Sequence, residues 1–161
     1  MTDQQTLFVK MAYDAWQTYI QRASDLFAKL TDDQLMEEIA PGRNRGIYML
    51  GHLTAVHDRL LPMLGLGERV YSQLDDTFIA NPDKSGLEFP PITQLRQSWS
   101  DVNSRLKNAF NKMTPAEWLE RHMSVSQEDF NKEPHRNKLN VLINRTNHLA
   151  YHLGQLKLMD K

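Results

Sequence analysis

Apolar residues recur at helical spacing along four long segments of this 161-residue chain, and no segment shows the alternation that is typical of a β-strand. A helix with one apolar face must bury that face against other elements, which here can only be helices. The pattern predicts helices over residues 2–30, 47–64, 92–113 and 137–159. We therefore predict an all-α protein whose four long helices pack as two hairpins in a four-helix bundle.

Two capping boxes mark predicted helix starts. Residues 2–5 read Thr-Asp-Gln-Gln and open the first helix, and Thr114 begins Thr-Pro-Ala-Glu, which opens a short helix reaching about Arg121. In addition, the sequence Phe-Ala-Lys-Leu-Thr-Asp-Asp-Gln-Leu at 27–35 resembles Phe-Asn-Lys-Met-Thr-Pro-Ala-Glu-Trp at 110–118. This weak internal repeat is in keeping with a layout of two helical hairpins.

The connections between the long helices are rich in turn-forming residues. Pro62 is expected to kink or fray the last turn of the second helix, because proline has no N–H to donate. Residues 65–91 contain several glycines and prolines and are predicted to be irregular, as is the polar stretch 124–135. A connection as long as 65–91 often borders a binding site or an interface.

Composition excludes several classes of function. A chain of 161 residues suits a single domain, and a formal net charge of −1 without a Lys/Arg run argues against a nucleic-acid partner. The absence of cysteine excludes disulfides, thiolate nucleophiles and iron–sulfur sites, so a metal would need histidine, carboxylate or water ligands. We see no secretory leader and no apolar run of membrane-spanning length, and expect a cytoplasmic protein with no membrane partner.

The most informative polar feature is the pair His148 and His152 in the fourth helical segment. Residues four apart lie one turn apart on the same helix face, so both imidazoles can reach one metal ion. This face lies about 130° from the apolar stripe, which indicates that the pair is outside the core. Asn144 and Gln155 share the face and are candidates to orient the two rings. A solvated pair without metal is the alternative.

A third ligand would have to come from another helix, and the second helix offers two histidines. On a helical wheel His57 falls within the leucine stripe, which favours a buried, hydrogen-bonded side chain, whereas His52 points away from that stripe. His122 and His135 stand in polar surroundings and are predicted to be surface residues. The carboxylates that could assist a metal have no diagnostic spacing: Asp58, Glu68, Asp75 and Asp76.

Two histidine-bearing segments carry a family resemblance. Residues 50–58, Leu-Gly-His-Leu-Thr-Ala-Val-His-Asp, together with 147–155, Asn-His-Leu-Ala-Tyr-His-Leu-Gly-Gln, resemble the DinB-like family. The chain is similar in layout to the thiol-dependent branch, which includes bacillithiol and mycothiol transferases. The resemblance extends over nearly the whole chain, in helix order, loop placement and the C-terminal His-x-x-x-His-x-Gly-Gln signature. It implies a four-helix bundle of up-down-down-up topology, often dimeric, that holds a divalent metal through three histidines.

Matched residue by residue, the family's metal ligands fall on His52, His148 and His152, in agreement with the wheel. Three imidazoles leave a tetrahedral zinc with one open position, and nickel or iron would also accept these nitrogens. Transferase members usually have an acidic residue two positions before the place of His57, where this chain has Ala55. The resemblance therefore indicates the metal site better than any reaction.

Two functions follow as hypotheses. The first is a metal-dependent transferase or hydrolase acting on a small molecule, with a low-molecular-weight thiol as a candidate cosubstrate and a homodimer as a candidate assembly. The transferase of this kind would take its thiol from the cosubstrate, because the chain has no cysteine. The second is a non-catalytic helical bundle that binds a ligand or a partner, with its metal site empty or adventitiously loaded.

Overall fold

The computed structural model describes residues 3–160, and within them it is helical without any strand. The α-helices are α1 (Gln4–Lys29), α2 (Asp32–Met36), α3 (Gly46–Asp58), α4 (Leu60–Met63), α5 (Ile92–Phe110), α6 (Pro115–Trp118), α7 (Gln127–Lys132) and α8 (Lys138–Leu156). A π-helical turn spans Asp76–Ala80 and a 3-10 turn spans Lys157–Met159. The predicted all-α class is confirmed. In the same part of the chain, no helix combines the length and the apolar character needed to cross a bilayer.

Helices α1 and α5 lie side by side in opposite directions. Near the start of α5, the guanidinium of Arg96 donates to the carbonyl oxygen of Leu30, just past the end of α1, at 2.8 Å. At the other end, the Tyr13 hydroxyl of α1 donates to Asn111 Oδ1, just past the end of α5, at 2.7 Å. These two contacts fix the relative shift of the helices along their common axis.

Helix α8 runs parallel to α1 and antiparallel to α3. Lys29 at the end of α1 pairs with Asp160 beyond the end of α8, at 2.5 Å. The first residue of α3, Gly46, lies so close to Met159 that an added Cβ would be 3.0 Å from its sulfur. Two long helices thus run one way and two the other, an arrangement consistent with the expected up-down-down-up order. The most extensive contacts join the parallel pairs, α1 with α8 and α3 with α5, so the predicted packing of consecutive helices as two hairpins is wrong.

One hydrophobic core fills the space between the long helices. Its fully buried side chains include bulky groups from each of α1, α3, α5 and α8: Trp16, Phe27, Leu50, Leu53, Leu106, Phe110, Leu142 and Leu149. The apolar stripe of α8 therefore faces inward as predicted, through Leu142, Leu149 and Leu153.

Some residues of the predicted apolar stripes are exposed. Leu7, Phe8 and Met11 near the start of α1 are 49%, 61% and 59% exposed. Tyr13 of α1 already contacts Asn111, just past the end of α5, so Leu7, Phe8 and Met11 lie beyond the end of that helix. Ile143 on α8 is also exposed.

Local signals located most helix ends correctly. Both halves of the internal repeat form capping boxes, at Thr31 and at Thr114. The helical segment that contains Pro62 is interrupted at Arg59, in keeping with the missing N–H of the proline one turn later. The capping box predicted at residues 2–5 depends on Thr2, which lies outside the described residues.

The polar stretch 124–135 contains a short helix that the sequence analysis missed. This helix, α7, has six residues, none of them buried, so it has no apolar stripe to reveal it. Its N-cap is Ser126, whose hydroxyl accepts a hydrogen bond from the backbone N–H of Asp129.

The long connection between α4 and α5 is attached to the bundle near both of its ends. The buried Asp58 at the end of α3 accepts hydrogen bonds from Arg69 at 3.0 Å and from the backbone N–H of Val70 at 2.9 Å. Farther on, Asp83 accepts from Arg45, which precedes α3, at 2.7 Å. The chain between these two ion pairs is consequently held along the outside of α3.

Candidate metal centre

Three histidine side chains meet between α3 and α8. The Nε2 atom of His148 lies 3.4 Å from Nε2 of His52 and 3.1 Å from Nε2 of His152. One ring nitrogen from each residue lies within 4.8 Å of the others, and all three side chains are partly buried. The structure thus brings together the three residues that the sequence analysis selected. Their assignment as metal ligands stays a prediction, because the geometry only defines a group able to hold an ion.

The ring of His52 is oriented by the connection that follows α4. Its Nδ1 lies 2.8 Å from the carbonyl oxygen of Phe78, which can only accept, so Nδ1 carries the proton and Nε2 presents a lone pair. Phe78 is fully buried and packs over Gly51, where an added Cβ would be 2.3 Å from the phenyl ring. Tyr48 stacks parallel to the imidazole, with ring centroids 6.2 Å apart.

The ring of His152 is oriented by Gln155, one of the two predicted partners. Gln155 donates through its Nε2 to the Tyr151 hydroxyl, which leaves its Oε1 as the acceptor for His152 Nδ1–H at 2.7 Å. The other predicted partner, Asn144, is exposed and donates to Asn140 Oδ1 at 3.2 Å. Among residues 3–160 no hydrogen bond joins Asn144 to a histidine of the cluster.

Burial lowers the pKa of all three imidazoles, and repulsion from neighbouring histidines adds to it for His52 and His148. Burial is the largest cause that lowers the pKa of His52, although the Phe78 carbonyl opposes it. For His148, burial followed by the nearby His152 and His52 lowers the pKa to about 4. The pKa of His152 is also lowered by burial. At neutral pH the cluster therefore presents uncharged nitrogens, the form in which histidine binds metals.

His57 lies in the core, as predicted from its place in the leucine stripe. It is fully buried between Trp16 and Trp99, with ring centroids 4.8 Å and 5.2 Å away. Its Nδ1 lies 2.9 Å from Asn103 Oδ1, and burial lowers its pKa to about 3. This residue is a neutral core histidine and is not part of the group of three.

The remaining histidines lie away from the cluster. His135 is exposed, as predicted, whereas His122 is partly buried and its Nδ1 accepts from the Ser124 N–H at 3.3 Å. His122 is thus less exposed than predicted, because a local turn brings the Ser124 N–H to its ring.

No carboxylate joins the three histidines among the described residues. Asp58 and Asp75 are engaged by Arg69, at 3.0 Å and 2.5 Å, and serve to hold the long connection. Glu68 and Asp76 are exposed and also stand outside the group. Among the described residues, the metal-capable group therefore consists of imidazoles alone.

Two neighbours of the site were not assigned a role from sequence. Phe78 acts through its backbone carbonyl, which every residue possesses, so its side chain gives no signal. Arg145 shares the helix face of His148 and His152, at positions three and seven residues earlier, and its positive charge acts on His52 and His148. This shared face was the only sequence signal for Arg145.

A surface cleft adjoins the site on the side of His152. Its volume is about 440 Å³, and Tyr151, Gln155 and the loop 39–44 line it. Two larger grooves, of about 660 Å³ and 630 Å³, run along α1 beside α5 and α8 and include none of the three clustered histidines. None of the three clustered histidines lines this smaller cleft either, and it meets the site only through Tyr151 and Gln155, which contact His152.

The fold and the site together define a class of protein, an all-helical bundle with a three-histidine group able to hold a metal. A family model described as the DinB superfamily matches residues 15–156 of the chain. The match includes all three histidines and all four long helices apart from the first turns of α1, and the chain belongs to this superfamily. A search of curated proteins finds no match.

Proposed function

We propose that this protein is a metal-dependent transferase that uses a small thiol as nucleophile and holds its metal through His52, His148 and His152. The observation that carries the proposal is the convergence of three neutral Nε2 atoms from two helices. Membership of the DinB superfamily supports it. Zinc is the ion that we expect first, because three imidazoles suit it, although nickel and iron accept the same ligands.

The donor set fits a divalent cation. In His52 and His152 the proton is on Nδ1, which donates a hydrogen bond to the Phe78 carbonyl oxygen and to Gln155 Oε1 respectively. Both Nε2 atoms therefore present lone pairs toward His148. Lone pairs that face one another repel unless a proton or a cation lies between them. A single proton can join only two of the three nitrogens, whereas one cation can be bound by all of them.

The residues of the chain would prepare the site for the reaction. A divalent ion with three protein ligands keeps an open position at which the pKa of a bound thiol or water falls. Phe78 and Gln155 hold two rings in the ligating tautomer, and burial keeps all three rings neutral. The side chains of Tyr48 and Tyr151 pack against the rings of His52 and His152.

We favour thiol transfer over hydrolysis because residues 50–58 and 147–155 resemble the thiol-dependent branch of the family. The metal site alone would serve either reaction, since a metal-bound water that has lost its proton is also a nucleophile. A thiol that has lost its proton to solvent is already a nucleophile and needs no further base. Its sulfur would form a bond to an electrophilic carbon of the second substrate, and the leaving group would depart with the bonding electrons.

The first test is elemental analysis of untagged protein after dialysis against a weak chelator. We expect about one equivalent of a single metal in the wild type, and loss of the metal in His52→Ala. His57→Ala is the matched control on the same helix, and we expect it to retain the metal but to lose stability, by about 2–4 kcal/mol for a buried large-to-small change. Metal loss from His57→Ala together with retention in His52→Ala would reverse the assignment.

A second test separates the enzyme from the non-catalytic bundle. The metal-loaded protein would be incubated with a small thiol and a reactive halide or epoxide, and the loss of free thiol measured against the His148→Ala variant. Metal-dependent thioether formation would support the transferase. Metal retention without turnover of thiol would favour the non-catalytic binding protein over the transferase. Hydrolysis of an ester by the metal-loaded protein would favour the hydrolase.

A further inference from the structure

Three side-chain nitrogens are buried without a hydrogen-bond partner in the described part of the chain: His57 Nε2, His148 Nδ1 and Arg145 Nε. All three belong to one neighbourhood, since the charge of Arg145 acts on both histidines. A buried polar atom without a partner costs free energy, typically about 1–3 kcal/mol. His57 is enclosed between two tryptophans, so the two atoms relevant to a ligand are Arg145 Nε and His148 Nδ1, on one face of α8.

Arg145 differs from the other partly buried arginines between residues 3 and 160. Each of the others donates to a carboxylate or a carbonyl oxygen: Arg45, Arg69, Arg96, Arg121 and Arg136. Arg145 has neither kind of partner there, and burial together with the charge of Arg59 lowers its pKa. Removing a charge from water without a partner costs free energy. A ligand can supply the acceptor that the guanidinium of Arg145 lacks.

The hydrogen positions in this neighbourhood can be assigned. Asn103 donates through Nδ2 to the Trp99 carbonyl, so its Oδ1 accepts from His57 Nδ1–H, and His57 Nε2 is left as an acceptor. If His148 ligates through Nε2, its Nδ1 carries a proton and is a donor. Arg145 Nε is always a donor. The face of α8 beside the histidine group therefore offers a cationic donor and a neutral donor, whereas the His57 acceptor is enclosed in the core.

Helix geometry places Arg145 beside the metal position. Residues 145, 148 and 152 are spaced i, i+3 and i+7, so they project from one face of α8 over about two turns. On the facing helix α3, His52 lies opposite the histidine pair. Arg59 directly follows the end of α3, and its positive charge acts on Arg145. The side chain keeps partial exposure, so a dissolved molecule can reach it.

We propose that Arg145 binds a carboxylate of the small thiol cosubstrate, whose sulfur occupies the metal centre next to it. This inference rests on the proposed function, because the histidine cluster fixes the other end of the ligand. A carboxylate matches the planar guanidinium, which can donate two parallel N–H bonds to it. A carboxylate-bearing thiol would thus be selected over an uncharged thiol of the same size.

The test compares two thiols of similar size, one that carries a carboxylate and one that carries an uncharged hydroxyl group. Co²⁺-loaded protein would be titrated with mercaptoacetate and with 2-mercaptoethanol, and binding followed by the thiolate-to-cobalt absorption band. We expect wild type to bind the acid at least about tenfold more tightly, the range for a hydrogen bond to a charged group. In Arg145→Met this ratio should fall to about one, with binding of the alcohol unchanged.

Two further variants guard against a merely structural effect. Arg105→Met removes an exposed charge that pairs with Asp101, and it should leave the ratio as in wild type. Arg145→Lys keeps the charge without the planar fork and should give an intermediate ratio, which provides a reading even if the methionine variant does not fold. Metal-free Arg145→Met should melt at or above the wild-type temperature, since an uncompensated charge has been removed.

The outcomes separate this inference from the proposed function. Equal binding of acid and alcohol by wild type, or an unchanged ratio in both Arg145 variants, would overturn the role of Arg145 while leaving thiol binding intact. If neither thiol produces the absorption band, the thiol-transfer proposal fails. Arg145 is then judged on metal-free protein alone, by whether acetate raises the melting temperature more than chloride does in wild type and not in Arg145→Met.

Discussion

At the scale of single residues, the two amides proposed from sequence as partners of the histidines behave differently. Gln155 is three residues after His152, and its longer side chain reaches back to the ring Nδ1. Asn144 is four residues before His148, and its short side chain contacts Asn140 on the solvent side instead. Both residues share the helix face, so a helical wheel could not distinguish them. Side-chain length and the direction in which each side chain must reach along the helix account for the difference.

We expect Gln155→Leu to weaken metal binding by about 10–100-fold, because His152 loses the acceptor that fixes its tautomer. Asn144→Leu, at the exposed site, should leave the metal affinity unchanged. Competition with a chromogenic chelator measures both affinities. Equal affinities for wild type and Gln155→Leu would show that the contact does not orient His152.

The buried His57 should make stability depend on pH. Its folded-state pKa is lowered to about 3, so between pH 6.5 and about 3 the unfolded chain binds a proton that the native state does not. Its contribution to stability is therefore complete above the unfolded pKa and is lost as pH falls, by at most about 1.4 kcal/mol per pH unit.

His57→Gln retains a donor toward Asn103 but cannot titrate, and it should flatten this dependence. Urea unfolding of the metal-free protein at pH 7 and pH 5 would measure the change in the free energy of unfolding with pH. His135→Gln, at an exposed position, is the control. A slope in His57→Gln as steep as in wild type would contradict the assignment.

At the scale of elements, the close contact between α3 and the connection before α5 determines the geometry of the site. Gly51 has no side chain, which allows the Phe78 ring to lie against the helix backbone. The same residue, Phe78, presents its carbonyl to His52. The packing of the Phe78 ring and the orientation of the His52 ring are thus coupled.

Gly51→Ala should destabilise the protein by about 1–3 kcal/mol through overpacking, and should also weaken metal binding because the Phe78 carbonyl is displaced. Gly154→Ala is the matched control on α8, since its added Cβ meets nothing within 4 Å. A helical glycine replaced by alanine in open space should gain up to about 1 kcal/mol. Thermal unfolding and metal titration would be measured on both variants. Unchanged metal affinity in Gly51→Ala would show that the two contacts are independent.

The features of the molecule that local sequence pattern determines could be predicted from the sequence. The long helices follow from apolar periodicity, and His148 and His152 follow from a spacing of four on one helix. His52 was separated from His57 because the leucine stripe of α3 marks one of them as buried. The Phe78 contact could not be inferred, because it depends on how residues 65–91 fold back along α3. Exposure of Leu7 and Phe8 depends on where the other helices end, which periodicity within α1 does not reveal.

At the scale of the whole molecule, the hydrophobic core and the three-histidine group are separate parts of the structure. The core side chains come from all four long helices, whereas the three clustered histidines are only partly buried. A ligand that binds only the native state adds stability of about 2.7 kcal/mol at a free concentration one hundred times its Kd.

We therefore expect the chelator-treated protein to keep its helical circular dichroism, and to melt at a lower temperature than the metal-loaded form. Readdition of zinc should restore the melting temperature in wild type and not in His152→Ala. Loss of helix on chelation alone would mean that the metal is needed for folding, as in a structural site.

The two ion pairs that fasten the long connection, Asp58 with Arg69 and Arg45 with Asp83, have a practical consequence. They hold Phe78 in place from both sides, so the environment of His52 exists only while three distant stretches of chain remain assembled. An ion with visible absorption, such as Co²⁺, would then change colour when any one of these stretches detaches. The metal centre would serve as a built-in optical reporter of the native state, read without a label.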